Sequence, residues 1–176
     1  MHLLIENLSK SFDEKVVLDD LNAVFDQGII YALLGRNGAG KTTLFSLIAR
    51  ELEKDSGQVF LVDREKKSPL DLSDVFFMLA EPELPRFLTA REFIKFFIDV
   101  NKERIVDLHD PDYYFDLVKF DEEDKDRLIQ GYSTGMRNKI QMMMFLILKP
   151  RVILMDEPLN SLDVVVQKEM KDLIKS

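Results

Sequence analysis

Cysteine is absent from the 176 residues of this chain. Its absence excludes disulfide frameworks, thiolate metal sites and cysteine nucleophiles, and it agrees with a cytosolic location. Long hydrophobic runs are missing too, since runs such as 142–148 fall far short of the ~20 residues that a membrane-spanning helix needs. No charged and then apolar signal peptide opens the chain. We therefore expect a soluble protein that meets a membrane only through another protein.

Positive charge is the minority charge. Lysine and arginine number 24 against 32 aspartates and glutamates, which gives a formal net charge of −8. Nucleic acids and anionic lipids attract basic surfaces, so we expect no nucleic-acid partner. The acidic residues gather between positions 107 and 126, a pattern typical of a solvated helical surface.

Hydrophobic spacing predicts an α/β fold in a single domain over 1–176. Strands are predicted at 3–12, 21–25, 58–62, 75–80 and 152–155, with the nearly continuous apolar run 29–34 as a central buried strand. Helices are predicted at 43–52, after Thr89, from Asp110 and Pro111 to about 128, and at 136–148. This order indicates a mostly parallel sheet with crossover helices, an N-terminal antiparallel β part and a helical subdomain at about 88–148.

A glycine-rich loop stands between the predicted strand at 29–34 and the predicted helix at 43–52. It fits the phosphate-loop pattern with Gly35, Arg36, Asn37, Gly38, Ala39, Gly40, Lys41 and Thr42. Glycines let backbone N–H groups face phosphates, Lys41 can reach the β and γ groups, and the Thr42 hydroxyl can bind Mg²⁺. Thr43 is a further candidate for nucleotide contact. The loop predicts nucleotide binding.

Two adjacent carboxylates, Asp156 and Glu157, follow the predicted buried strand at 152–155. In open α/β sheets, ligands bind at the carboxyl ends of the strands. Asp156 can hold Mg²⁺ through water, while Glu157 can orient or deprotonate the attacking water. Taken alone, these acids could equally be a helix cap or a solvated turn. The phosphate loop upstream favours the catalytic interpretation.

The segment after Tyr132 resembles the signature segment of ABC ATPases, which is usually written LSGGQ. Its residues here are Ser133, Thr134, Gly135 and Met136. In that family the signature serine lies 23 residues before the magnesium aspartate, and Ser133 and Asp156 have the same spacing. Alone, Ser133 could simply cap the following helix. Together with the phosphate loop, the order and spacing make the chain similar to ABC transporter ATP-binding proteins.

The resemblance implies the phosphate-loop NTPase fold, with ATP and Mg²⁺ as ligands. It also implies head-to-tail pairing with a second such domain, a copy of the chain or a related subunit, whose bound ATP the signature segment contacts. Phe12 falls where the family has an aromatic that stacks on adenine, although an apolar residue in such a strand could instead be core. Ser161, Leu162 and Asp163 resemble the dimer-contact loop, and Asp163 could also cap a helix.

Two positions depart from the family pattern. Glu81 stands where the family usually has a glutamine that touches Mg²⁺, so it joins Thr42 and Asp156 as a candidate metal ligand, with a surface-loop role as the alternative. The family's switch histidine is also missing, because neither His2 nor His109 matches its position. We expect a C-terminally truncated protein in which ATP binding survives better than turnover.

The leading functional hypothesis is the ATP-hydrolysing subunit of an ABC membrane transporter. The resemblance implies a separate permease subunit and a cytoplasmic location on the inner face of the membrane. The form of the signature after Tyr132 resembles exporter-associated ATPases, commonly of bacteria. The alternative is a soluble ABC ATPase acting on ribosomes or DNA, although no tandem cassette or long coiled coil is present. A phosphate-loop kinase ranks last, because it has no use for a signature segment.

Overall fold

The computed structural model describes residues 1–156, so Glu157 and the predicted dimer-contact loop of Ser161, Leu162 and Asp163 lie outside the described residues. The strands are β1 (His2–Phe12), β2 (Lys15–Asp26), β3 (Ser56–Asp63), β4 (Lys66–Pro69), β5 (Val75–Met78) and β6 (Val152–Met155). The helices are α1 (Lys41–Ile48), α2 (Ala90–Asn101), α3 (Pro111–Leu117) and α4 (Thr134–Leu148). Short 3₁₀ turns lie at Leu72–Asp74, Glu122–Asp124 and Ile129–Gly131.

The chain forms two compact units. The first contains residues 1–77 and 151–154, and the second contains residues 78–150 together with Met155 and Asp156. The first unit therefore holds α1 and most of the β structure, and the second holds α2, α3 and α4. These three helices belong to the segment predicted as the helical subdomain.

The first unit is built on a four-stranded antiparallel sheet in the order β2-β1-β3-β4. Apolar residues of β1 alternate toward the core, because successive side chains of a strand point to opposite faces. This arrangement confirms the predicted N-terminal antiparallel β part, and it adds β4, which the sequence analysis missed. The core residues of this unit are Leu3, Ile5, Leu8, Leu44, Leu47, Ile48, Leu61, Leu70 and Leu154.

A second, two-stranded sheet pairs β5 with β6. The backbone N–H of Asp156, just after β6, donates to the carbonyl oxygen of Met78, the last residue of β5, over 3.0 Å. The two strands therefore end at the same edge, as in a parallel pair. The chain between them passes through α2, α3 and α4. This is the crossover connection that the sequence predicts.

The predicted central strand at 29–34 is wrong. No strand is formed there among the described residues, and the apolar side chains of Ile29, Ile30, Tyr31, Leu33 and Leu34 are between 42% and 90% exposed. The segment is held locally instead. The Tyr31 ring packs edge-on against Phe25, with centroids 5.1 Å apart, and its hydroxyl accepts a hydrogen bond from the Asp26 N–H over 3.0 Å. Apolar composition predicted burial, but a strand also needs a neighbour with which to form hydrogen bonds.

Helix starts in the second unit follow the capping signals of the sequence. The Thr89 hydroxyl accepts a hydrogen bond from the Glu92 N–H, and the Glu92 carboxylate accepts one from the Thr89 N–H, which makes a capping box at the start of α2. The Asp110 carboxylate caps α3, with Pro111 in its first turn. The predicted extension of helices to about 128 is wrong, because α3 ends at Leu117 and only 3₁₀ turns follow before α4.

A network of charges joins α2 to the 3₁₀ turn at Glu122–Asp124. Asp112 accepts hydrogen bonds from Arg91 over 2.7 Å and from Lys125 over 3.1 Å, and Lys125 also contacts Glu122 at 2.5 Å. These bonds hold the pKa of the Asp112 carboxyl below its ordinary value, Arg91 having the larger effect. The Lys125 side chain is only 3% exposed, so it depends on these carboxylates to offset the loss of water.

Candidate functional site

The glycine-rich loop leads directly into α1 of the first unit. Gly38 has a φ of +78° and Gly40 a φ of +88°, both in the left-handed region that favours glycine. A Cβ atom on Gly40 would also lie 2.9 Å from Cγ1 of Val17. The Ala39 N–H donates to the Arg36 carbonyl over 3.1 Å, which closes a turn that includes Asn37. The local backbone therefore requires glycine, and residues 35–39 are exposed.

Lys41 is the first residue of α1, and its ammonium group lies back over the loop. Nζ donates to the carbonyl oxygen of Gly35 over 2.9 Å and to that of Arg36 over 3.0 Å. No side chain caps α1, because its N-cap is Gly40. Thr42 is exposed and Thr43 half-buried in the same first turn. A cation and the positive end of a helix dipole thus lie at one loop, which is the arrangement that binds phosphate groups.

Phe12 lies at the end of β1 with 44% of its surface exposed, so it is not a core residue. The ammonium group of Lys10 lies 5.4 Å from the centroid of its ring, and the same group pairs with the Asp55 carboxylate at 2.9 Å. Hydrogen bonds from the Lys10 side chain and the Ser11 N–H lower the pKa of Asp55. An exposed ring beside a cation is available for stacking.

The candidate metal ligands differ in their exposure to solvent. Asp156 is half-buried, and Glu81 is exposed in the loop that follows β5. Both belong to the second unit. There the Asp156 N–H donates to the carbonyl oxygen of Met78, which lies three positions before Glu81. Within residues 1–156, no group of three acidic or histidine side chains is close enough to hold a metal ion. The carboxylates of Asp156 and Glu81 and the hydroxyl of Thr42 are nonetheless the oxygen donors that suit Mg²⁺.

The candidate signature segment forms the first turn of α4. Ser133 is exposed and is the N-cap, its hydroxyl accepting a hydrogen bond from the Met136 N–H over 3.2 Å. The Arg137 guanidinium donates to the Tyr132 carbonyl over 3.0 Å and to the Thr134 hydroxyl over 3.4 Å. Ser133 therefore has the capping role that local reasoning allows, and its exposed position also leaves it accessible to a ligand.

A buried aromatic residue, Tyr132, precedes the signature segment and fixes the position of the chain where α4 begins. Tyr132 is 4% exposed, and its hydroxyl donates to the carbonyl oxygens of Asp124 and Arg127. Burial raises the pKa of the Tyr132 hydroxyl above its ordinary value. The tyrosine thus ties the start of α4 to the 3₁₀ turn at Glu122–Asp124.

Sequence reasoning missed Gln141 of α4. Its side chain is buried at 5% exposure, and its amide forms two hydrogen bonds with the backbone of Leu79. The available signal was a single amide inside the otherwise apolar stretch from Ile140 to Leu148. A buried amide in such a stretch has to be satisfied by hydrogen bonds.

Within residues 1–156, no helix is both long enough and apolar enough to span a membrane. The chain matches the profile of the ABC transporter family over residues 18–160.

Relatives that cover nearly the whole chain include two bacterial transport proteins. A lantibiotic transport ATP-binding protein of Streptococcus pyogenes is 31% identical over 99% of this chain and 74% of its own length. A spermidine/putrescine import ATP-binding protein of Spiroplasma citri is 32% identical over 99% of this chain and 50% of its own length. Among solved structures, the dimeric ATP-binding cassette MJ0796 bound to ADP and Pi superposes with a TM-score of 0.78 at 19% identity, covering 98% of this chain and 81% of that one.

Proposed function

The chain belongs to the ABC transporter family, and on that premise we propose that it is the ATP-binding and ATP-hydrolysing subunit of an ABC membrane transporter. One observation carries the proposal: the loop 35–42 combines two glycines with positive φ and the Lys41 ammonium at the N-terminus of α1. Backbone N–H groups, a helix dipole and a lysine directed at one loop suit the triphosphate of ATP. The family match over residues 18–160 supports the same ligand.

Nucleotide binding would rearrange the bonds of Lys41. Its ammonium now donates to the Gly35 and Arg36 carbonyls, and we infer that it exchanges them for the β and γ phosphates. Arg36, Asn37, Gly38, Ala39 and Thr43 would contribute backbone contacts, and Phe12 would stack on the adenine. The two carbonyls hold the lysine near the loop before the anion arrives, so little reorganisation is needed.

Thr42, Asp156 and Glu81 are the residues that would hold Mg²⁺. The ion supplies neutralisation of the charge on the phosphate oxygens when it is bound. Glu157 would orient or deprotonate the attacking water. We assign Ser133 and the backbone N–H groups of Thr134 and Gly135, with Met136 beside them, to the γ-phosphate held by a second domain, because the N-terminus of α4 attracts anions.

The proposed assembly is a head-to-tail dimer, of two copies or with a related subunit, attached to a separate permease at the inner face of the membrane. The contact loop of Ser161, Leu162 and Asp163 would lie between the two subunits. The Tyr132–Ser133 form of the signature supports an exporter, and the relative from Streptococcus pyogenes is a lantibiotic transport protein. The relative from Spiroplasma citri is an import protein, so the identity of the permease has to decide the direction.

The test is to tag the complete gene product, solubilise membranes of its own host in mild detergent and identify the proteins that co-purify. We expect a polytopic membrane protein. Its recovery should fall with Glu81→Ala and with Arg86→Glu, because we place the exposed loop after β5 against the permease. The matched control is Arg64→Glu, in the exposed turn between β3 and β4 of the other unit. Recovery of ribosomes or DNA-associated proteins instead would end the transport proposal and leave the ATPase assignment.

A further inference from the structure

Gln141 is a polar side chain in the buried face of α4. Its neighbours Ile140, Met142 and Met143 are at most 1% exposed, and Gln141 itself is 5% exposed. Burying an amide carries a large desolvation penalty unless both of its polar atoms form hydrogen bonds. An apolar residue of similar volume would fill the same space without that penalty. The presence of glutamine therefore points to a role in its hydrogen bonds.

Both polar atoms of Gln141 bond to one residue, Leu79. Oε1 accepts from the Leu79 N–H over 3.1 Å, and Nε2 donates to the Leu79 carbonyl over 3.2 Å. The amide thus pairs with the backbone of Leu79 much as a neighbouring strand would. Leu79 is the first residue after β5, where the pairing of the sheet ends. Gln141 therefore fixes the position of the backbone at Leu79, the exit of the chain from β5.

Met78, before this exit, and Glu81, after it, matter for the proposed chemistry. The carbonyl of Met78, just before Leu79, accepts from the Asp156 N–H over 3.0 Å. Glu81 comes two positions after Leu79. The hydrogen bonds of Gln141 and Asp156, together with the chain from Met78 to Glu81, therefore connect α4 with both candidate metal ligands of the second unit.

The other end of α4 carries the candidate signature segment. Ser133 caps the helix. Gln141 lies eight positions later, which is about 12 Å along a helix axis. A helix moves nearly as a rigid rod, so a shift at Ser133 reaches Gln141 and, through its two bonds, Leu79.

Building on the proposed function, we propose that Gln141 is a positioning residue that holds Asp156 and the Glu81 loop in fixed relation to the signature helix α4. Contact between the signature and a partner's ATP would then change the positions of the residues that we assign to Mg²⁺ in the same chain. The conclusion depends on the paired bonds to Leu79, because a shape-filling residue would not connect the two elements.

The test compares Gln141→Leu with Asn138→Leu. Asn138 is the matched control because it is a buried amide on the same face of α4, 1% exposed, and its Oδ1 has no hydrogen-bond partner within the described part of the chain. Hydrogen–deuterium exchange of the full chain without nucleotide gives the first readout. In Gln141→Leu, the Leu79 amide, followed in a peptide that begins at least two residues before it, should exchange about tenfold faster, because its N–H loses its acceptor. In Asn138→Leu it should exchange as in the wild type.

The second readout is the Mg²⁺ concentration that half-saturates ATP hydrolysis. Gln141→Leu should raise it about tenfold, as loss of a residue that orients metal ligands does. The KM for ATP should stay within about twofold. A purely structural role would lower the active fraction without moving the Mg²⁺ requirement.

Unchanged exchange of the Leu79 amide, equal effects of both variants, or an unchanged Mg²⁺ requirement would overturn the role of Gln141. Failure of the proposed function is a separate result. A wild-type chain whose loop 35–42 gains no protection on adding MgATP would overturn that function and, with it, the catalytic part of this proposal. The exchange comparison without nucleotide would still decide whether Gln141 fixes Leu79.

Discussion

Gly57 of β3 passes so close to Asn7 of β1 that a Cβ atom on the glycine would lie 2.3 Å from the Asn7 carbonyl oxygen. Gly57 also has a φ of +85°, and Asn7 a φ of +51°, at an irregularity in the pairing of the two strands. The Asn7 side chain donates to Asp20 over 2.7 Å, which holds the irregularity in place. The close approach leaves no room for a side chain at position 57.

Gly57→Ala is therefore predicted to be strongly destabilising. The left-handed backbone alone adds about 1 to 2 kcal/mol for a residue with a Cβ, and overpacking adds about 1 to 3 kcal/mol. The free energy of unfolding, measured with urea, should fall by roughly 2 to 5 kcal/mol. Gly28→Ala is the control, because Gly28 has a φ of +81° but nothing within 4 Å of its Cβ position. Equal losses in the two variants would show that backbone strain, and not the contact with Asn7, sets the requirement.

Ser133→Ala is predicted to lower both stability and dimer formation, whereas Thr89→Ala should lower stability alone. Each hydroxyl caps a helix by accepting from a backbone N–H, at 3.2 Å from Met136 and 3.1 Å from Glu92. Each substitution should cost about 1 kcal/mol of stability. In a Glu157→Gln background, which we expect to slow hydrolysis, only Ser133→Ala should also reduce dimer formation with MgATP, measured by sedimentation velocity. The same dimerisation defect in Thr89→Ala would assign the loss at Ser133 to folding.

The stability of the second unit should fall in acid through Asp112. Its pKa is lowered in the folded chain by Arg91 and then by Lys125. The stabilisation is therefore present above the unfolded pKa, about 3.9, and is lost as the pH falls through the folded value. Asp112→Asn should be less stable than the wild type at neutral pH, and the difference should shrink as the pH falls from about 5 to about 2.

The control for Asp112 is Asp116→Asn. Its carboxylate is 3.9 Å from the Lys125 ammonium and its side chain is 80% exposed, so the pair contributes little. Urea unfolding across the same pH series should show almost no difference from the wild type. A pH-independent difference between Asp112→Asn and the wild type would contradict the ionic role of Asp112.

Local signals predicted the start of each helix in the second unit. Thr89, Asp110 with Pro111, and Ser133 each act through atoms within a few positions, so the sequence contains the whole interaction. The α/β class and the order of motifs were predictable for the same reason, and the family match confirms the phosphate-loop fold.

Features that depend on distant neighbours were not predictable. The segment 29–34 is apolar enough for a buried strand, but pairing is decided by other strands, and Tyr31 instead packs on Phe25. Gln141 was missed because its partner, Leu79, is 62 positions away. The exposure of Phe12 likewise depends on the pairing of β1 with β2. Phe12 is the last residue of β1, and Asp13 in the turn that follows has a φ of +50°.

Binding of ATP at the loop 35–42 is tested most directly by isothermal titration calorimetry of the full chain with MgATP. The wild type should bind, and Lys41→Met should bind roughly 10- to 100-fold more weakly, because a charge-assisted hydrogen bond is worth about 1.5 to 3 kcal/mol. Lys54→Met is the control, since Lys54 also donates to a glycine carbonyl, that of Gly57, over 2.6 Å, but outside the loop. Its affinity should equal that of the wild type. No binding by the wild type, or equal binding by Lys41→Met, would contradict the account.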